Sequence, residues 1–211
     1  MSQARPRVAG ADTGSGNLRS VEKALVRAGA DVIVTPDADV IAAADKIVVP
    51  GQGAFGGCIA GLDRAGGALR EAVMGGIRAG KPFLGICLGL QVLFEGSEED
   101  PGCRGLGVLP GFVRRFADRP GLKVPHMGWN QTRKRAAGGT TALRDVPDGT
   151  YFYFVHSYFP VPARAEDIAL ETEHGVPFCA AVARDNVFAC QFHPEKSQDA
   201  GLALLGAFVR V

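Results

Sequence analysis

Cys87 lies in Gly85-Ile86-Cys87-Leu88-Gly89, after an apolar run of strand length (82–86) and before a run of helical spacing (88–94). A sharp strand-to-helix turn forces the residue at the bend into strained torsions, and flanking glycines relieve the crowding. The pattern is a nucleophile elbow with a thiol in place of the usual hydroxyl. A free thiol with a pKa near 8.5 is only a few per cent ionised at pH 7. A helix N-terminus favours the thiolate, which is the nucleophile. Burial as a small apolar residue is the ordinary fate of cysteine and suits Cys58, Cys103, Cys179 and Cys190. For Cys87 the glycine bracket and the bend favour chemistry.

A base is offered by Gln191-Phe192-His193-Pro194-Glu195, at the end of a strand-like run over 187–192. In extended chain, residues i and i+2 face the same side, so His193 and Glu195 can address one substrate region. One ring nitrogen takes the thiol proton, and an acceptor on the other fixes the tautomer. Cys87, His193 and Glu195 form a Cys-His-Glu triad in that chain order. His174 sits in a polar turn and receives no role.

The elements that must position these groups alternate. Strands are expected at 7–12, 31–35, 46–50 and 82–86, and helices at 18–27, 69–79 and 88–94, with Gly29 ending the first helix. This rhythm implies a parallel sheet with helices on both faces. The second half reads as strands at 107–116, 151–159, 168–172, 178–184 and 187–192, with a hairpin turn at Asp185-Asn186 and a closing helix over 199–209. The expectation is one α/β domain over 5–211, with a mixed, mostly parallel sheet and antiparallel additions. Its site would lie at the carboxyl ends of parallel strands.

Two phosphate-like motifs fail in context. Gly51-Gln52-Gly53-Ala54-Phe55-Gly56 matches G-x-G-x-x-G, but Glu71, at the right spacing for a ribose ligand, falls on an expected helix. The run at 75–82 nearly matches a P-loop, yet Pro82 replaces the magnesium-binding hydroxyl and the order runs helix to strand. The spacings C-x-x-C and H-E-x-x-H do not occur, so neither metal nor cofactor is expected.

Lys plus Arg is 23 and Asp plus Glu 22 in 211 residues, a net charge of +1. That argues against an electrostatic grip on nucleic acid or anionic membrane. Apolar runs fall short of the ~18 residues of a membrane span, and the first ten residues lack a signal-peptide core. Five cysteines, an odd number without close pairs, indicate reduced thiols in a cytoplasmic setting.

GICLGLQ (85–91) together with FHPEKSQ (192–198) resembles the class I, triad-type glutamine amidotransferases. Within them the chain is most similar to the glutaminase subunits of imidazole glycerol phosphate synthases in histidine biosynthesis. GNLRSVEKAL (16–25), PGQGAF (50–55), KVPHMGWN (123–130), YFVHSY (153–158) and HPEKSQ (193–198) carry the finer likeness. The resemblance implies a flavodoxin-like fold and hydrolysis of glutamine through a thioester. The oxyanion would be held by backbone N–H groups of Leu88 and of Gln52 or Gly53. Gln91 and the backbone of Gly51, Ser157, Tyr158 and Phe159 would hold the α-amino and carboxylate groups. It also implies a heterodimer with a (βα)8-barrel synthase subunit, which uses the ammonia to make imidazole glycerol phosphate and aminoimidazole carboxamide ribotide.

The contact would involve Asn17, Pro125, His126, Met127, Trp129, Tyr153 and Lys196. From the residues alone, Trp129 suits a core aromatic as well as an interface anchor. The chain departs from the family pattern at Thr13, where an aromatic residue is expected, and at Gln52, where a small apolar one is usual. Among alternatives, a redox sensor built on Cys87 needs no oriented His-Pro-Glu. A thiol hydrolase of the α/β-hydrolase type would place its acid before the histidine. An amidotransferase for anthranilate or guanylate synthesis would lack KVPHMGWN.

Overall fold

The computed structural model describes residues 5–14, 16–135 and 140–211. Along the chain the elements are β1 (Arg7–Ala11), α1 (Leu18–Arg27), β2 (Asp31–Thr35), α2 (Ala38–Ala43), β3 (Lys46–Gly51), α3 (Phe55–Leu62) and α4 (Ala68–Arg78). They continue with β4 (Phe83–Cys87), α5 (Leu88–Gln91), β5 (Gly96–Ser97), β6 (Asp100–Arg104), β7 (Gly111–Arg115), β8 (His126–Gln131) and β9 (Arg133–Lys134). The remainder are β10 (Tyr151–His156), β11 (Tyr158–Pro162), β12 (Ile168–Glu173), β13 (Pro177–Arg184), β14 (Val187–Cys190) and α6 (Gln198–Val209).

Eight strands form the central sheet in the order β2-β1-β3-β4-β14-β13-β12-β9. The first five are mutually parallel, in the flavodoxin order with β14 as the fifth strand. β14 reaches its place by a hairpin from β13, through Asp185-Asn186, and the antiparallel strands extend the sheet from there. Short β-branched runs account for the central strands. Along β3, Ile47 and Val49 pack on one face and Val48 on the other. One face is covered by α1 and α6, through Val21, Leu25, Leu204 and Phe208. The other is covered by α2, α3 and α4, through Ile41, Phe55, Leu62 and Val73. Asn17 caps α1 by accepting from the Ser20 amide, and Gly29, at φ +104°, turns the chain after it.

The structure corrects three expectations and adds two helices. The segment 151–159 breaks at Ser157: among the described residues β10 pairs with β8 alone, whereas β11 pairs with β7 in a separate four-stranded sheet. The helix after Cys87 spans four residues instead of seven, because the chain curls at once into β5. The strand expected from 107 starts at Gly111, after Gly107 at φ +63° and Pro110. Two short helices, α2 and α3, were not apparent in the periodicity. The G-x-G-x-x-G segment leads into α3, whose Phe55 amide donates to the Glu99 carboxylate. The P-loop-like run ends α4, and Lys81 there donates to the Ala42 and Ala44 carbonyls closing α2.

Candidate active site

Cys87 ends β4 at φ +55°, ψ −102°, a conformation rare for a residue with a side chain. Such strain costs about 1–3 kcal/mol and persists only where neighbours impose it. The imposition is steric: a Cβ at Gly89 would overlap the Val49 carbonyl oxygen, and one at Gly85 would press on Gly89. α5 therefore packs directly against β3 and β4, and the sulfur is presented at the carboxyl end of the parallel strands. With one turn of helix behind it, Cys87 draws less from the helix dipole than a seven-residue helix would supply.

β14 brings His193 to the same end. Glu195 meets it by a different route from simple alternation, since Pro194–Lys196 form a 3-10 turn that folds the carboxylate back onto the ring. His193 Nδ1 lies 2.8 Å from Glu195 Oε1, and both side chains are only 1% exposed. The backbone is tied down as well. The His193 amide donates to the Tyr153 carbonyl, and the Ser197 hydroxyl donates to the His193 carbonyl while accepting from the Tyr153 amide.

Burial alone would drive the His193 pKa down. Cys87 and Glu195 overcome that and raise it to about 9. Among the described residues, the buried side-chain polar atoms without a hydrogen bond are His193 Nε2 and Glu195 Oε2. The sulfur is thus near enough to favour the imidazolium, while Nε2 makes no bond of standard geometry. That is the arrangement of a ring basic enough to hold the thiol proton beside the sulfur, backed by a carboxylate on its other side.

Cys87 faces a cavity of about 400 Å³. Leu88, Gln52, Gly53, Gln91, Ser157 and Tyr158 line it, whereas Gly51 and Phe159 stand outside its wall. Gly51 lies directly behind Cys87 in the β3–β4 register, and the Phe159 ring packs on Phe116 at 4.5 Å. Both Gln91 amide hydrogens are committed, one to the Tyr158 carbonyl at 3.0 Å and one to Gln191 Oε1 at 3.1 Å. Gln91 Oε1 is then its polar atom for a substrate, and as an acceptor it suits an ammonium group.

Three residues carry weight that the sequence did not assign to them. Gln191 is buried and its amide donates to the Cys87 sulfur at 3.6 Å. Glu99 puts a carboxylate on the cavity wall. Ser197 anchors His193. Only Gln191 left a signal, a polar residue directly after the wholly apolar run of β14. A different cavity of about 280 Å³, lined by Gly80, Asp185 and Asn186, opens at the amino ends of the strands and holds none of these groups. Among the described residues, no cluster of three or more His, Cys, Asp or Glu is placed to share a metal ion.

Around the cavity mouth, Lys196 Nζ lies over the Tyr153 ring at 5.9 Å, and Tyr153 meets Trp129 edge-on at 6.3 Å. Trp129 and Met127 are 47% and 63% exposed, so Trp129 is not a core aromatic. Pro125 lines the cavity, and Asn17 is exposed at the start of α1. His126 is a correction. It is buried, because strand alternation in β8 turns it inward from Met127 and Trp129, so its ring cannot anchor a partner. Thr13 is buried where the chain passes α3, and Cys58 Sγ donates to its hydroxyl at 4.0 Å. The five cysteines are all free thiols.

Residues 10–209 match the family model "Glutamine amidotransferase class-I". "Imidazole glycerol phosphate synthase subunit HisH" of Methanothermobacter thermautotrophicus is 49% identical over 200 residues, covering 95% of this chain and 96% of that protein. Its namesake in Thiobacillus denitrificans is 52% identical over 212 residues, covering 96% and 90%. Among solved structures, "Structure of PurLQS from Thermotoga maritima" superposes with a TM-score of 0.74 at 19% identity, covering 98% of this chain and 99% of that one. Another, "Crystal structure of glutamine amidotransferase", gives a TM-score of 0.69 at 22% identity, covering 97% and 99%. These two show the fold. Among the described residues, no helix is long and apolar enough to cross a membrane.

Proposed function

The chain belongs to the class-I glutamine amidotransferases, and from that premise we propose that Cys87, His193 and Glu195 hydrolyse glutamine to supply ammonia for histidine biosynthesis. His193 Nε2 takes the thiol proton, and the sulfur attacks the side-chain amide carbon. The oxyanion is met by the N–H of Leu88 and one N–H from Gln52 or Gly53. The imidazolium gives its proton to the departing nitrogen, leaving a γ-glutamyl thioester. Water, deprotonated by the same ring, adds to the thioester, and the sulfur leaves with glutamate released. Glu195 holds the ring in one tautomer through both halves.

The observation that carries this reading is the 2.8 Å contact between His193 and Glu195 behind a buried, open Nε2 beside Cys87. A redox sensor has no use for that geometry. For the substrate, Gln91 Oε1 and the Glu99 carboxylate are acceptors suited to an α-ammonium group, and Ser157 and Tyr158 supply backbone to its carboxylate.

Ammonia is protonated in water and then is no nucleophile, so its consumer must dock over the cavity. The partner in this reading is a (βα)8-barrel synthase subunit in a cytoplasmic heterodimer. It would sit on Trp129, Met127, Tyr153, Lys196, Pro125 and Asn17. The test is glutamate and ammonia release from glutamine by the chain alone, with the barrel subunit, and with that subunit plus its nucleotide ligand. Turnover is expected to be slow alone and to rise with both. Full turnover by the isolated chain would sink the coupling.

A further inference from the structure

Beyond the triad, His126 and His156 are paired residues of the antiparallel β8–β10 ribbon, and their rings meet at 3.0 Å between His126 Nδ1 and His156 Nε2. We propose that this buried pair positions the wall of the cavity, through a chain of hydrogen bonds that joins the ribbon to Cys87 by way of the Tyr158 carbonyl, where donors from both sides meet. The proposal rests on reading that cavity as the glutamine site.

The direction of the chain follows from elementary donor and acceptor rules. The Tyr158 carbonyl only accepts, and His156 Nδ1 lies 2.8 Å from it, so Nδ1 carries the proton. In the neutral ring Nε2 is then an acceptor, and His126 Nδ1 must donate to it. His126 Nε2 is left as an acceptor, and the Asn130 amide supplies that hydrogen at 3.1 Å. Asn130 is itself held by donating to the Glu173 carbonyl at 2.8 Å. On the far side, the Tyr158 carbonyl takes a second hydrogen from Gln91, which donates its other one to Gln191, which donates to the sulfur. Every link has one permitted orientation.

The surroundings keep both rings neutral and still. Phe116, Phe154 and Phe178 pack around them, and His174 stacks on His126 at 4.3 Å. Burial, with smaller effects from the other histidines, lowers the pKa to about 4 for His126 and about 3 for His156. His156 also borders the cavity directly. β11, which carries Tyr158, belongs to a different sheet from β10. The His156 bond to the Tyr158 carbonyl therefore spans the break at Ser157 and fixes one sheet to the other beside the substrate.

The test has two arms on the chain in complex with its barrel subunit. His156→Asn retains a donor close to the Nδ1 position, whereas His156→Phe keeps the bulk and removes the donor. We expect His156→Phe to raise the KM for glutamine about tenfold with kcat changed less than about threefold, from the loss of one buried bond at a binding wall. His156→Asn should return KM to within about threefold of the unmodified chain.

An unchanged KM in folded His156→Phe would overturn the proposal, as would a His156→Asn variant no better than His156→Phe. The second arm needs no variant. Nitrogen NMR of the two rings at neutral pH should show both neutral and protonated at Nδ1. An Nε2–H tautomer in either ring would overturn the chain of bonds. Failure of the unmodified complex to hydrolyse glutamine would instead defeat the glutaminase reading, and the tautomer result would still stand.

Discussion

Two buried histidine sites lie close together in this molecule, and one ends charged while the other ends neutral. His193 is 1% exposed and His156 6%. Desolvation pushes both toward the neutral form, yet the His193 pKa rises to about 9 while that of His156 falls to about 3. The difference is the partner. His193 donates to a carboxylate and lies beside a thiol, whereas His156 sits between a neutral imidazole and a carbonyl. Burial sets the stakes and the neighbouring acceptor decides the outcome. One site is therefore suited to moving a proton and the other to holding a shape.

The sharpest way to break this contrast is to remove the nucleophile. Cys87→Ala should lower glutamine hydrolysis on the order of a thousandfold or more, with the partner still bound, by coupled ammonia assay and sedimentation. Retained hydrolysis would refute the triad.

Next in size is Glu195→Gln. It removes the charge that sustains the His193 cation, so the ring's pKa should fall below about 9 and the hydrolysis rate on the order of a hundredfold. An NMR titration of the ring checks the first and steady-state kinetics the second.

The pH dependence of stability sharpens the comparison further. His126 and His156, at about 4 and about 3, lie below an unfolded value near 6.5. Near pH 5 the unfolded chain binds about two more protons at these rings than the folded one, so stability falls as pH drops from about 6.5 toward 4. His193, raised to about 9, acts in the other direction. Its contribution is complete below about 6.5 and is lost as pH rises through 9. Denaturant unfolding across this range measures both limbs. Stability that is flat between pH 6.5 and 4 would contradict the neutral pair.

The smallest catalytic effect belongs to the outer face of the ribbon. Trp129→Ala should weaken partner affinity about tenfold or more and leave iodoacetamide alkylation of Cys87 unchanged, by calorimetry and mass spectrometry.

What the sequence made legible was local. The Gly85-Cys87-Gly89 bracket depends on close approach at one bend, and a parallel sheet with helices on both faces depends on alternating periods, so both could be read; the flavodoxin-like fold was implied only by the family resemblance. His193 and Glu195 were recognisable as a pair, although a 3-10 turn joins them rather than extended chain. The ribbon, the four-stranded sheet and the break at Ser157 are set by non-local pairing that no window of sequence carries. Gln191, Glu99 and Ser197 acquire their roles only where separate strands meet. His126 was readable and misassigned: period-two alternation in β8 already separates it from Met127 and Trp129.

The central claim, that Cys87 is the nucleophile and the cavity before it takes glutamine, is tested most directly by exposing the complex to an electrophilic glutamine analogue and mapping the adduct by mass spectrometry. A single adduct is expected on Cys87, formed in competition with glutamine and slowed in Glu195→Gln. Labelling spread over Cys58 or Cys103, or labelling of Cys87 that glutamine does not slow, would contradict it.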